Sequence, residues 1–550
     1  MEQIAAKLDD RFRLLSSGSR TALPRHRTLQ AVVDWSWDPL SGEERELAMV
    51  LAAFPGGATL EALEAVSGLD PLDALTALVD KSLVELSGER YRMQETVRSY
   101  GMARLAESGR DRAVRDGHAR YFLRLAEAAD PELRGAGQLH WMDRLRAEHD
   151  NVVAALRFAA EAGDAELGVR LPAAMWWFWY LQGMLTESVR WTRGVLDLPG
   201  EVPEELRPVR LVLQGLLHQQ LGDVAAAREA VLAGLDLRDR LGRPAGVVLL
   251  VGPVMIGDLM AAARAGERLL PGLTGWERAL TLMLMSSAAE SDGDIAGAFT
   301  LIDGARREME LLGDRWALSS ALRLLAEHHD RRGDPGAAIE ARSRALRLAG
   351  ELGVLEDQAA ILAKIAISYA RSGEHDRARS YMEASWDCAR RMRRQEGVEY
   401  LRLSQIEVLL WSGALEQARR ELTAVEDPSY PPDVRAWAAC FRAMAALLDG
   451  DRPGAGPSLD IAMELGDLPI LAAAAHVRAA TLADDEPARA AYLLGAATAL
   501  LGTEDRSGFG DLLRPAERAR AALGDEAFAA AYESGAALAR DAALSAVRPA

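Results

Sequence analysis

The sequence predicts a mainly α-helical chain: a small helix-and-hairpin domain followed by a long solenoid of helix pairs. Three observations lead there. A turn glycine recurs every 35 to 40 residues, at Gly183, Gly222, Gly257, Gly293, Gly333, Gly373, Gly413 and Gly450, with Asp485 in the equivalent place at the end. Five residues after each stands a small side chain: Ser188, Ala227, Ala262, Ala298, Ala338, Ala378, Ala418, Ala455 and Ala490. Low proline, abundant alanine and leucine, and few alternating strand patterns complete the reading.

The glycine lets the chain turn after a first helix, and the small residue lets a second helix approach its neighbours closely. A second small position follows seven residues later in part of the set, at Gly234, Ala305, Ala345, Ala462 and Ala497. One helix pair cannot bury its apolar face alone, so successive pairs must stack. The residue choice fits tetratricopeptide-like units better than ankyrin units, although the steps of 40 residues between Gly293 and Gly413 exceed the ideal of about 34.

At 550 residues the chain is too long for one compact core, since such cores stop growing near ~250–300 residues. The expected domains are a remnant helical segment and linker over 1–24, a compact domain over 25–110, a helical bridge over 111–164, the repeats over 165–500 and capping helices over 501–550. Sixty-four Lys plus Arg against 82 Asp plus Glu give a formal charge of -18. A surface of that sign repels phosphate, so proteins are expected as partners ahead of nucleic acid. Cys388 and Cys440 form neither a metal spacing nor a disulfide framework. The longest apolar run, Ala245 to Ile256, is interrupted by Gly252 and Pro253, and no run reaches the ~18 residues needed to cross a bilayer. A cytoplasmic, membrane-free protein is expected.

In chain order, Glu2 to Phe12 reads as a short amphipathic helix, of the kind expected where a sequence starts inside a larger fold. Trp35 and Trp37 would point to nearly opposite sides of a helix, so at least one must be buried. Ser41 with Glu44 forms a capping box for a helix to Phe54. Thr59 opens a second helix to Val66, and Asp70 with Pro71 a third to about Lys81, with Leu72, Leu75, Leu78 and Val79 as its apolar face. Leu83–Leu86 and Tyr91–Met93 form a hairpin, and Thr96 to about Ala106 a fourth helix. Three helices and a hairpin predict a winged-helix domain. Its third helix offers Asp70, Asp73 and Asp80 against Lys81, a face that phosphate would avoid.

Bridge helices are expected over His118–Ala129 and Leu139–Phe158, with His149, Asp150 and Asn151 as a structural polar cluster. The run Trp176-Trp177-Phe178-Trp179-Tyr180 is expected to pack in the core; any part left exposed, with Trp176, Trp177, Trp179 and Tyr180 as candidates, would be a protein-binding hot spot. Past Ala499 two capping helices are predicted, Leu512–Leu523 and Asp525–Val547, with Phe528, Tyr532 and Leu538 as anchors. The first helix of each repeat is expected to line an extended groove. Candidate protein-binding residues there are Arg323, Glu327, Lys364, Tyr369, Arg402, Gln405 and Glu407.

No Gly-x-x-x-x-Gly-Lys-Ser/Thr loop and no dinucleotide-binding glycine fingerprint occurs. The adjacent His328 and His329 point about 100 degrees apart on a helix, a poor start for a metal site. No catalytic residue, metal or cofactor is therefore assigned, and a non-enzymatic chain is expected. The alanine-rich repeats near Gly222 and Gly257 leave room for a small-molecule effector.

Several stretches resemble a known family. Phe12-Arg13-Leu14-Leu15, the run Ser19 to Leu29 (SRTALPRHRTL), Asp34-Trp35-Ser36-Trp37, Phe54-Pro55-Gly56-Gly57, Lys81-Ser82-Leu83-Val84, Tyr91 to Tyr100 (YRMQETVRSY), Arg144-Leu145 and Glu148-His149-Asp150-Asn151 resemble the part after the nucleotide-binding core in AfsR-like, SARP-type actinobacterial regulators. These are signal-transduction ATPases with numerous domains. The resemblance implies a switch in which a nucleotide, held between ATPase core and winged helix, keeps the protein closed while C-terminal repeats hold a partner. Met93, Gln94 and Glu95 fall at the family's Met-His-Asp motif, so Gln94 occupies the place of a phosphate-approaching histidine. The phosphate loop, magnesium-binding acid and adenine contact are not present in the chain, so the ATPase module is expected as a separate partner. The expected function is regulatory scaffolding through the repeats in transcriptional control; the alternatives are DNA binding through the winged helix and small-molecule sensing.

Overall fold

The structure, a computed structural model, describes residues 33–548 except 243–246, 257–263, 265, 269, 292–293, 393–396, 426–429, 452–467, 503 and 505–511. The expected helix at Glu2–Phe12, the turns at Gly257 and Gly293, the small residues Ala262, Ala455 and Ala462, and most of the loop before the cap lie outside the described residues. The chain divides into two compact units: residues 1–131, 140–178 and 185–213, and residues 132–139, 179–184 and 214–550.

The first unit opens with a helical turn over 33–37, on which Trp37 is buried and Trp35 is 78% exposed. Trp37 meets Tyr100 edge-on at 5.1 Å. Helix α1 (Gly42–Ala52) starts at the Ser41–Glu44 capping box, with both reciprocal hydrogen bonds present. Thr59 caps α2 (Leu60–Ser67) by accepting from the Ala62 N–H, and Asp70 Oδ1 accepts from Leu72 N–H at the start of α3 (Leu72–Asp80). Strands β1 (Glu85–Ser87) and β2 (Arg90–Arg92) pair antiparallel, Leu86 opposite Tyr91. Ala58 bridges to Tyr91 on the other side. Helix α4 (Glu95–Glu107) then packs on α1, where a Cβ at Gly101 would come within 2.8 Å of Ala52 Cβ. This is the predicted winged-helix arrangement. One correction concerns α3: Leu75 and Leu78 are buried, but Leu72 is 50% exposed, because a nine-residue helix lying on the domain surface has a core-facing side too narrow for every leucine.

Helix α5 (Asp111–Glu132) starts seven residues before the expected His118, and α6 spans Gln138–Ala162. Helices α7 (Ala165–Leu181) and α8 (Leu185–Leu196) follow, and they approach closely enough that a Cβ at Gly168 would lie 2.9 Å from the Val195 carbonyl.

The second unit is a succession of helix pairs. They are α9 (Arg207–Gln220) with α10 (Val224–Leu241), α11 (Val247–Met255), α12 (Gly275–Ser291) with α13 (Ile295–Leu312), α14 (Arg315–Arg331) with α15 (Pro335–Leu352), α16 (Leu355–Arg371) with α17 (His375–Arg391), α18 (Val398–Trp411) with α19 (Leu415–Ala424), α20 (Pro432–Leu448), and α21 (Leu468–Leu482) with α22 (Pro487–Leu501). From α12 onward the paired helices pack on each other and successive pairs touch, which is the solenoid construction. The turn glycines Gly222, Gly333, Gly373, Gly413 and Gly450 all have φ between 71 and 86 degrees, the left-handed region that glycine enters without cost. Ala227, Ala298, Ala338, Ala378, Ala418 and Ala490 are all fully buried, as are Ala305, Ala345 and Ala497.

The array ends in three helices where two were expected: α23 (Pro515–Leu523), α24 (Asp525–Ala536) and α25 (Arg540–Val547). The predicted long last helix breaks after Ala536, and Ala543 and Val547 are buried beyond the break. No described helix is long and apolar enough to cross a membrane.

Candidate interaction surfaces and buried polar nodes

The aromatic run is mostly interior. Trp176, Trp177, Phe178 and Trp179 are each no more than 5% exposed, so those indoles are packing residues and present no surface to a partner. Tyr180 is half-buried with its ring edge-on to Trp316 at 5.4 Å. Burial, with Asp357 nearby, pushes its hydroxyl up to about 12.

The residues singled out on the first helices of the repeats are largely engaged within the protein. Arg323 on α14 pairs with Asp357 on α16 at 2.8 Å. Glu407 on α18 is buried and pairs with Arg371 of α16 at 2.6 Å. Arg402 pairs with Glu421 at 3.0 Å, and Gln405 Oε1 accepts from Trp386 Nε1 at 3.2 Å. Tyr369 is buried, stacked on Tyr381 at 5.3 Å, with Arg377 4.0 Å over its ring and donating to its hydroxyl. These contacts join helices at fixed spacing, so charge at a repeating position marks inter-helix ties as readily as a groove. Lys364 is exposed and Glu327 half-buried, and neither makes a side-chain contact of this kind.

Gln94 is the N-cap of α4; its side chain is exposed and Nε2 donates to Glu85 Oε1 at 3.3 Å. His328 and His329 both meet the Phe299 ring edge-on, at 6.1 and 6.2 Å. Among the described residues no cluster of three or more His, Cys, Asp or Glu could hold a metal ion.

Two buried polar nodes have partners that the sequence does not reveal. In the first unit Asn151, fully buried on α6, clamps the Gly56–Gly57 turn that follows α1. Its Oδ1 accepts from Gly56 N–H at 3.1 Å, and its Nδ2 donates to the Gly57 carbonyl at 3.0 Å and to Glu148 at 2.7 Å. Arg90 of β2 completes the node, donating to both Glu148 oxygens at 2.6 and 2.9 Å and to the Gly57 carbonyl at 2.9 Å. Gly57 has φ of 72 degrees and no room for a Cβ, which would lie 2.7 Å from the Tyr91 carbonyl. Of the expected cluster, Asn151 makes these bonds, Asp150 is exposed, and His149 packs edge-on to Trp191 at 4.6 Å. A polar residue in an otherwise apolar helix and a distant Gly-Gly pair were the available signals; that they are partners is visible only in three dimensions.

In the second unit Asp314, fully buried before α14, accepts from Trp276 Nε1 at 2.6 Å, Gln138 Nε2 at 2.9 Å and Ala317 N–H at 3.0 Å. Gln138 Oε1 in turn accepts from Arg315 N–H at 3.0 Å. Burial raises the Asp314 carboxyl, while these donors act in the opposite direction. Every partner is a donor, the arrangement a carboxylate needs when it is taken out of water.

Helix pairs that follow a winged-helix domain in the chain, with inter-helix ties and buried polar nodes, define a helical-repeat protein. Over 205 residues, 36% of this chain, the sequence is 38% identical to proteins of Mycobacterium tuberculosis and Mycobacterium bovis named as HTH-type transcriptional regulators, of which the chain spans 23%. It is also 36% identical over 150 residues to an uncharacterized protein of Mycobacterium tuberculosis, Rv0894, matching 25% of this chain and 37% of that protein. The chain therefore spans well under half the length of these relatives. No protein-family profile matches it. Among solved structures, a signal-transduction ATPase with a tetratricopeptide repeat sensor from Pyrococcus horikoshii aligns at a TM-score of 0.49 and 15% identity, covering 79% of this chain and 63% of that one. At that score the likeness carries no argument.

Proposed function

We propose that the chain is a non-enzymatic regulatory scaffold in transcriptional control, corresponding to the part of an AfsR-like switch that follows its ATPase core. The observation that supports this most is the stretch shared with HTH-type regulators at 38% identity, joined to a winged-helix domain and a helix-pair array. In this reading the domain limits are 25–110 for the winged helix, 111–164 for the bridge, 165–500 for the repeats and 501–550 for the cap. The repeats hold a protein partner or an ATPase module carried on another chain. Lys364 and Glu327 are the first contact residues to test, since the other positions considered on those helices already have partners within the protein. A nucleotide role for Gln94 belongs to the same reading and is its weakest element, because an amide replaces the expected imidazole.

The test is affinity capture of the tagged chain from its own cytoplasm, with and without ATP. Recovery of a phosphate-loop protein that Lys364→Glu weakens supports the scaffold. Recovery of no protein, with the chain monomeric by light scattering, sinks it and favours a small ligand or DNA. ATP turnover by the purified chain would overturn the non-enzymatic part.

A further inference from the structure

We propose that the array holds a small-molecule site on α10, where Arg238 anchors the carboxylate of a small apolar acid. Arg238 is 1% exposed, and it stands where the repeat pattern calls for a hydrophobic side chain. It follows the closely packed Ala227 by eleven residues, and the residues in the same register of later repeats are Met309, Ala349 and Ala389, all buried. With Ala227, Val231, Gly234 and Leu235 it makes up the buried face of α10. A guanidinium in that position has left water, so each of its donors needs an acceptor.

The chain supplies only part of the set. Asp239, the next residue, accepts from Arg238 Nε at 3.0 Å and from Nη2. Nη1 is buried and meets no acceptor among the described residues. Asp239 is itself exposed and shared with Arg268 at 3.2 Å, and Asp236 is paired with Arg240 at 3.0 Å. Glu229, the remaining acid of α10, lies exposed nearer the start of the helix. Helix α11, which packs on α10, has no polar side chain from Val247 to Met255. Arg342 on α15, the other arginine this deeply buried among the described residues, shows the completed arrangement. It pairs with Asp330 at 2.5 Å, and its Nη1 donates to Ser368 Oγ at 2.9 Å.

An acceptor from outside the chain completes Arg238 in the same way. Two guanidiniums, Arg238 and Arg268, share the Asp239 carboxylate, so a single negative charge balances the group. A monocarboxylate meets that need, whereas a phosphate dianion calls for several donors and one nitrogen is left to offer. Val231 and Leu235 on the same face, with the apolar α11 packed on this helix, suit a hydrocarbon body behind the carboxylate. The site lies apart from Lys364 and Glu327, so this assignment and the scaffold reading can each fail alone.

The test titrates the full chain at neutral pH with butyrate, hexanoate, octanoate and benzoate, read by calorimetry and by thermal denaturation, with octanol and inorganic phosphate as controls. At least one of the four acids is expected to bind one-to-one and to raise the melting temperature, and neither control to do so. Arg238→Met, which installs the side chain found in the same register at Met309, and Arg238→Gln should each weaken that binding about tenfold or more, the loss of one charge-assisted hydrogen bond. Arg419→Met, which breaks the Arg419–Asp449 pair on α19, should leave it unchanged. Circular dichroism checks the fold of each variant, and the two Arg238 variants are read independently. The proposal is overturned if none of the four acids binds, if octanol or phosphate binds as tightly, or if a folded Arg238 variant binds as tightly as the native chain.

Discussion

His118 sits between the rings of Phe54 and Phe122, at 4.6 and 4.7 Å, and is almost wholly buried. Burial, opposed by a hydrogen bond to Asn151 and reinforced by the Arg115 charge, pulls the imidazole down from 6.5 to about 3. The unfolded chain therefore takes up a proton below pH 6.5 that the folded chain refuses, and stability present above that value drains away as pH falls toward 3. Between pH 7 and pH 5 this single site costs about 2 kcal/mol. Urea midpoints across that range should fall in the native chain, and more shallowly in His118→Phe. An equal slope in both would place the acid sensitivity elsewhere. The neighbouring Asn151 shows what sequence spacing hides: a polar residue in an apolar helix was readable as hydrogen-bonded, but its partners lie 94 and 95 residues away.

At the scale of elements, the alanines predicted at the repeating positions are fully buried where they fall among the described residues, and helices also approach closely at glycines outside that pattern. The tightest case joins α22 to α24, where a Cβ at Gly495 would fall on the Tyr532 carbonyl and one at Gly535 on the Tyr492 carbonyl. Gly495→Ala should destabilise the cap by roughly 1–3 kcal/mol, the usual cost of overpacking. Gly222→Ala, in an open turn at φ 82 degrees, pays only for backbone strain, about 1–2 kcal/mol. Thermal denaturation should separate the two by their local effect, with hydrogen exchange accelerating in α22–α25 for the first and in α9–α10 for the second. Protection unchanged in α22–α25 would contradict the packing account. The capping box at Ser41 and the glycine turns were legible because each is decided by neighbours in sequence. The break after Ala536 was not, since no proline stands at it, and beyond it Ala543 and Val547 are buried.

For the whole molecule, each repeat contacts chiefly its neighbours, so stability is a sum of local terms and cooperativity is limited. Seven of the twelve tryptophans lie before residue 200, whereas helical circular dichroism reports all repeats. Urea unfolding followed by the two probes should give separated midpoints; coincident curves would show a single cooperative structure instead. The sequence by itself determined the helical class, the winged-helix order of elements, the repeat period and the small buried positions, because these rest on local propensity and on periodicity. Tertiary structure alone decided which charges are tied to other helices. Arg323, Arg402 and Glu407 look like groove residues in one dimension, yet they tie adjacent helices, and Leu72 looks like core yet faces outward. The reason is physical: a side chain's helical phase is written in the sequence, but whether another helix covers that phase depends on residues far along the chain.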